Sequence, residues 1–240
     1  MEAYREKISK FISFFSKQLD IICNAKFSEN EKLYKKILYI GVIDAISKPV
    51  YPKEGNRKRF VSFVTQFSEW KDCERISLTH LAKLLEKVPD TEIPGLREFV
   101  HSNFNWREGD TIYLDKDPDY STILNLWPRD KESLKQIGDV AFESLTHVRL
   151  FYKYRNSLIH ELRKPGYGME YEDDNSPFYH SMRYLNDNNK ITWELVYPLG
   201  FYKIICGTLL KKLETHCINN RINPYNSYTF GTYFIDELNA

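Results

Sequence analysis

At 240 residues, with 34 Lys and Arg against 33 Asp and Glu, the chain is long enough to bury a sizeable core and carries a formal charge of only +1. That balance excludes a global field that would gather nucleic acid or a membrane surface, so any such partner must be met by a local patch. No apolar run approaches the roughly 20 residues that span a bilayer, and no signal-peptide pattern opens the chain, so a soluble, cytoplasmic protein with no membrane partner is expected.

Taken in chain order, Ile8, Phe11, Ile12, Phe15, Leu19 and Ile22, then Leu33, Ile37, Ile40 and Ile43, recur at helical spacing and predict two helices before residue 48. The segment KPVYPKEGN (48–56) is a loop, because two prolines and a glycine punctuate it. Phe60, Phe63, Val64 and Phe67 predict a third helix over Arg57 to Lys71. Ser77 reads as the N-cap of a helix that carries Leu78, Leu81, Leu84 and Leu85 and closes at Val88 and Pro89. Between 89 and 129, Pro89, Pro94, Gly109, Pro118 and Pro128 break the pattern into a connecting region with short helices at most. The periodicity then predicts one long helix from Arg129 to Leu162, interrupted only at Gly138 and stopped by Pro165, Gly166 and Gly168. An acidic loop (Glu170, Glu172, Asp173, Asp174) leads to FYHSMRYL and KITWELVY, a β-hairpin turned at Asn186 to Asn189. A last helix runs from Pro198 through Phe201, Ile204, Ile205, Leu209, Leu210 and Leu213 and ends before Pro224. The tail NPYNSYTFGTYFIDELNA is too aromatic to hang free and is expected to pack back on the domain or on a second subunit.

The expected fold is therefore mainly α, a helical bundle with an inserted β-hairpin, in one domain over 1–240. Its parts are the N-terminal helices and connecting region (1–128), the motif helix (129–162), the hairpin (178–197) and the final helix with its tail (198–240). Cys23, Cys73, Cys206 and Cys217 lack any C-x-x-C spacing, which suits reduced thiols. Cys206, His216 and Cys217 lack a fourth ligand, and neither a metal nor a cofactor is expected.

The stretch YKYRNSLIHELRKPG (152–166) places Arg155, Asn156 and His160 in one apolar helical run. Asn156 and His160, four apart, share a face; Arg155 and His160 differ by about 140° and roughly 7.5 Å along the axis, and are expected to flank a groove. One helix makes an incomplete site, whereas two copies about a two-fold axis bring two arginines and two histidines around one phosphate. The negative helix end and Glu161 suit His160 to general acid work. Arg75 and His80 repeat the spacing across the helix start at Ser77 and are read as coincidence. Arg149, Lys153, Arg155, Arg163 and Lys164 crowd one segment against a single acid, Glu161, and suit a phosphate backbone; Lys53, Arg57, Lys58 and Arg59 form a second cluster that serves equally as a solvated face. Tyr152, Tyr154 and Tyr167 are stacking candidates, though packing is the commoner role of such residues, and the G-x-G at Gly166 and Gly168 reads as a flexible loop.

R-N-x-x-x-H near the end of a long helix resembles the HEPN superfamily of nucleotide-binding and ribonuclease domains, most specifically over residues 130–230, where RNSLIHELRKPGYG, the hairpin with Trp193 and the final helix ending in NPYNSY also look like bacterial HEPN-type proteins. The resemblance implies a homodimer whose composite cleft cuts RNA without a metal, as a toxin or antiviral defence effector partnered by an antitoxin or regulatory protein. It implies that Arg155 stabilises charge on the phosphorane, His160 acts as acid or base, and Asn156 orients a partner or the phosphate. Arg149, Lys153, Arg163, Lys164 and Tyr152 become the RNA-binding candidates. Leu162 stands where some antitoxin-linked relatives carry a tyrosine for nucleotidylation, so that control is not expected. Two other readings stay open: a non-catalytic HEPN module that binds nucleotides or a partner, and a plain scaffold in which Arg155 pairs with an acid.

Overall fold

The computed structural model describes residues 2–89, 93–130, 133–184 and 190–228, and among them the protein is mainly helical. In chain order the elements are α1 (Glu2–Asn24), α2 (Glu31–Ser47), α3 (Asn56–Phe67), α4 (Leu78–Leu85), α5 (Pro94–Asn103), β1 (Thr111–Tyr113), α6 (Tyr120–Leu126), β2 (Arg129–Asp130), β3 (Ser133–Leu134), α7 (His147–His160), β4 (Phe178–Arg183), β5 (Ile191–Val196) and α8 (Leu199–Asn220). Short 3-10 turns lie at Leu114–Lys116, Phe142–Leu145 and Pro224–Ser227. The chain divides into two compact units, Met1–Glu69 with Tyr202–Ala240, and Trp70–Phe201.

In the first unit the predicted stripes are buried in part: Ile12, Leu19, Leu33 and Ile37 are only half-buried and Ile204 is exposed. Ile8, Phe11, Phe15 and Ile22 of α1, Tyr39, Ile40, Ile43 and Ile46 of α2, and Phe60, Phe63, Val64 and Phe67 of α3 are core, with Ile205, Cys206, Leu209 and Leu213 of α8. Lys35 is buried against this pattern because its Nζ donates to the Cys23 carbonyl at 2.9 Å and to Glu31 at 2.8 Å, tying the end of α1 to α2. The beginning of the aromatic tail packs within this unit, as Tyr225 meets Phe11 edge-on at 5.4 Å and Tyr228 donates its hydroxyl to the Ala45 carbonyl. The rest of the tail lies outside the described residues.

The second unit carries an apolar cluster built from Leu78, Leu81, Leu84 and Leu85 of α4, Leu96 and Val100 of α5, Ile123 of α6, Trp127 and Phe142. Ser77 caps α4 as expected, its hydroxyl accepting from the His80 amide. β4 and β5 pair antiparallel with Tyr179 opposite Leu195 and Ser181 opposite Trp193. The turn at 186–189 lies outside the described residues. β1, which sequence patterning does not reveal, pairs with the other edge of β4, giving the sheet order β1-β4-β5.

The long helix expected over 129–162 is corrected: among the described residues of that range, only His147–His160 is α-helical. Leu134, Ile137 and Val140 do have helical spacing, but they pack as partly buried or buried side chains on the α4–α5 cluster from a different backbone. Gly138 and Asp139 both adopt positive φ and turn the chain between Ile137 and Val140, which pair with each other. The Trp127 indole donates to the Lys135 carbonyl at 2.7 Å, so that stretch satisfies its backbone without a helix. The expected third helix ends at Phe67 rather than Lys71, and Glu69 follows with positive φ.

Candidate functional site

The second unit strings α7 tightly at its start. The amides of His147 and Val148 donate to the carbonyls of Arg75 and Cys73, at 3.2 and 2.8 Å, which satisfies donors that a helix N-terminus leaves open. Val148, Phe151, Tyr154 and Leu158 are buried, and Phe151 and Tyr154 pack on Tyr197 with ring centroids 4.9 and 5.1 Å apart. At the other end Leu162 has a positive φ and the Arg163 amide reaches back to the Ser157 carbonyl, which stops the helix just after His160.

Here the structure brings Arg155, Asn156 and His160 together. Arg155 Nη1 donates to Asn156 Oδ1 at 3.1 Å and lies 3.3 Å from His160 Nε2. The expectation that Arg155 and His160 only flank a groove is corrected: helical side chains lean toward the N-terminus, so the ring of His160 comes back to meet the long arginine. A guanidinium can only donate, so in this arrangement His160 Nε2 accepts and its proton sits on Nδ1. The Tyr152 ring lies under Arg155, 5.6 Å from the guanidinium carbon, and helps hold it. Arg155 is buried whereas His160 is exposed, so the pair joins the packed body of the helix to solvent.

Arg149, Lys153, Asn156 and His160 fall at i, i+4, i+7 and i+11 and form one polar, cationic stripe along α7. Arg149 and Lys153 make no ion pair among the described residues. Arg163 and Lys164 are engaged instead: Arg163 pairs with Glu161 at 2.5 Å, and Lys164 donates to the Gly168 carbonyl at 2.7 Å. Tyr154 is core, while Tyr167 is exposed. The second basic cluster is partly neutralised, since Lys58 pairs with Glu54 and Arg59 donates to Asn56 and to the Glu54 carbonyl.

The loop after α7 is closely packed, not the flexible connector that its glycines suggest. A Cβ on Gly166 would stand 1.8 Å from Glu194 Oε2, and one on Gly168 would stand 2.5 Å from Val196 Cγ2. Further on, Glu170 accepts from the Leu199 amide at 2.7 Å, so the acidic loop supplies a carboxylate to the start of α8.

Sequence reasoning missed a buried polar network in the same unit. Asp117, 2 % exposed, accepts from the Leu78 amide at 2.8 Å, from His147 Nε2 at 2.7 Å and from the Tyr179 hydroxyl at 2.6 Å. The Tyr179 hydroxyl lies 2.7 Å from Ser77 Oγ, and Ser77 Oγ lies 2.7 Å from His80 Nδ1. These partners are up to 102 residues apart in the chain, so no local spacing announces them. His80 belongs to the pair dismissed as coincidence, and Arg75 indeed turns elsewhere, to Asp72 and Asp119.

His80 also borders two adjoining cavities that share His80, Thr192 and Trp193. One, about 400 Å³, lies between α7 (Leu150, Lys153, Tyr154, Ser157), Pro165, Gly166 and β5; the other, about 190 Å³, lies between α4 and β5. The hairpin thus forms a groove with α7 of its own chain. Arg155, Asn156 and His160 are not among its lining residues.

No known protein family, curated protein or solved structure matches the chain. Among the described residues no helix is long and apolar enough to cross a membrane.

Proposed function

We infer that this protein is an endoribonuclease of the HEPN type, cutting RNA by attack of its own 2'-hydroxyl without a metal. The observation that carries this reading is the meeting of Arg155, Asn156 and His160 within hydrogen-bond distance at the exposed end of α7. In the reaction the 2'-oxygen bonds to phosphorus as the bond to the 5'-oxygen breaks. A base takes the 2'-hydroxyl proton and an acid returns one to the departing 5'-oxygen, leaving a 2',3'-cyclic phosphate and a 5'-hydroxyl. The phosphate oxygens draw Arg155 more strongly than a neutral imidazole does, so substrate arrival frees His160 Nε2 for proton transfer. The Arg149 and Lys153 side chains follow the backbone on either side. Exposed Leu162, Tyr167, Met169 and Tyr171 cluster in sequence just past the motif and suit a surface that a second copy covers, completing a composite site. A toxin or antiviral role, with an antitoxin or regulatory partner, belongs to the same proposal.

One observation favours a second reading, a HEPN module that binds without turnover: in this structure the His160 Nε2 lone pair already faces Arg155. Incubation of wild type and His160→Ala with labelled RNA in EDTA, followed by end-group analysis, separates the two. Cyclic-phosphate ends from wild type alone, with the variant still folded and of unchanged mass in solution, are expected. Intact RNA throughout, with RNA bound, selects the binding module.

A further inference from the structure

The groove beside β5 has a composition that the Arg155–His160 reading leaves unused. Trp193 is partly exposed, lines both of its cavities and is backed edge-on by Trp106 at 5.2 Å, so its position is fixed by a second aromatic. Its carboxylates are answered from within the protein: Glu86 accepts from Lys83 at 2.9 Å, and Glu194 accepts from the Tyr184 hydroxyl. Lys153, on the rim, has no ion pair among the described residues. The groove therefore offers an aromatic face and an unmatched cation, the pairing that single-stranded nucleic acid uses.

His80 supplies the specificity. Its Nδ1 is held at 2.7 Å from Ser77 Oγ, and Tyr179, by donating to Asp117, frees its own oxygen to accept from Ser77. The Ser77 proton can point toward His80 or away from it, to Tyr179 or to Thr79 Oγ1 at 3.0 Å. Directed at Tyr179, it lets His80 Nδ1 keep its proton and leaves Nε2 as an acceptor. Directed at His80, it makes Nε2 the donor. Burial and the nearby His147 ring hold the His80 pKa down to about 4, so the ring is neutral in both arrangements. A neutral ring that can present either a donor or an acceptor suits the polar edge of a nucleobase better than it suits an anion.

The geometry points to this groove as a binding site for one nucleotide of single-stranded RNA, with the base stacked on Trp193 and read at its edge by His80, and a phosphate held by Lys153. The site rests on the ribonuclease reading for the choice of RNA over free nucleotides. Lys153 belongs to both the groove rim and the polar stripe, and it lies seven residues, about 10 Å along the helix, from His160. A bound base is thereby set beside the scissile position on the same strand.

The test is titration of the full-length protein with AMP, GMP, CMP, UMP and a 2'-O-methyl RNA hexamer, which cannot be cut, by calorimetry. Wild type is expected to bind the hexamer, which it cannot cut. Trp193→Leu, Lys153→Glu and His80→Gln are each expected to weaken it at least tenfold, with one base preferred among the mononucleotides and the preference lost in His80→Gln. If His80→Gln fails to fold, Trp193→Leu and Lys153→Glu, both at surface positions, still decide the matter. Hexamer affinity unchanged in those two variants, or absent in wild type at millimolar concentration, overturns the inference. Binding with no RNA cleavage by wild type would instead overturn only the ribonuclease reading.

Discussion

Asp117→Ala should unfold the second unit far more readily than its single buried carboxylate suggests. The substitution strands the Leu78 amide and the fully buried His147 Nε2–H, whereas the Tyr179 hydroxyl can turn to Ser77 Oγ, 2.7 Å away. A buried donor left without a partner costs about 1–3 kcal/mol, and two sharing one acceptor will not add fully, so about 2–4 kcal/mol is expected. That is a large part of the roughly 5–15 kcal/mol that holds a domain together. Asp117→Asn is the sharper control. With its amide oxygen toward Leu78, its NH2 group faces His147 and Tyr179; His147 can then accept on Nε2 by moving its proton to Nδ1, and Tyr179 can donate to Ser77. His147 Nδ1 has no partner among the described residues as it stands, so the change leaves few new orphans and should cost about 1–2 kcal/mol. All four tryptophans, Trp70, Trp106, Trp127 and Trp193, lie in this unit, so urea unfolding followed by tryptophan fluorescence reads it directly. Equal, sub-kilocalorie effects of Ala and Asn would refute the network as drawn.

The remaining predictions follow from the same unit. His80 has its pKa lowered from 6.5 to about 4, so between those values the unfolded chain binds more protons than the folded one and stability falls as pH drops through that window. The loss should reach at most roughly 3 kcal/mol, and His80→Gln should flatten that part of the stability profile; an unchanged slope in the variant would remove His80 as its source. Gly168→Ala should cost about 2 kcal/mol by urea midpoint, because its Cβ meets the buried Val196. Gly166→Ala meets only the mobile end of the Glu194 side chain but must hold φ at +72°, so a smaller loss of about 1 kcal/mol is expected; the reverse order would contradict the packing of this loop on β5.

Much of the fold was legible because its signals are local. Ser77 at the start of α4, the phenylalanine spacing of α3, Pro198 ahead of α8 and the alternating runs of β4 and β5 each depend on neighbours within a few residues, where dihedral preference and periodicity act. So did the gathering of Arg155, Asn156 and His160 on one helix, although not the 3.3 Å meeting of Arg155 with His160, which depends on how far each side chain leans. Where period and environment diverge, sequence misleads: Leu134, Ile137 and Val140 keep helical spacing, yet their burial on α4 and α5 is won by a chain that turns at Gly138 and Asp139. Tertiary structure alone decided the rest. It set β1 against β4, packed the Gly166–Gly168 loop on β5, and joined Ser77, Asp117, His147 and Tyr179 below His80. A buried carboxylate needs donors from wherever the fold can bring them, and chain separation carries no trace of that requirement.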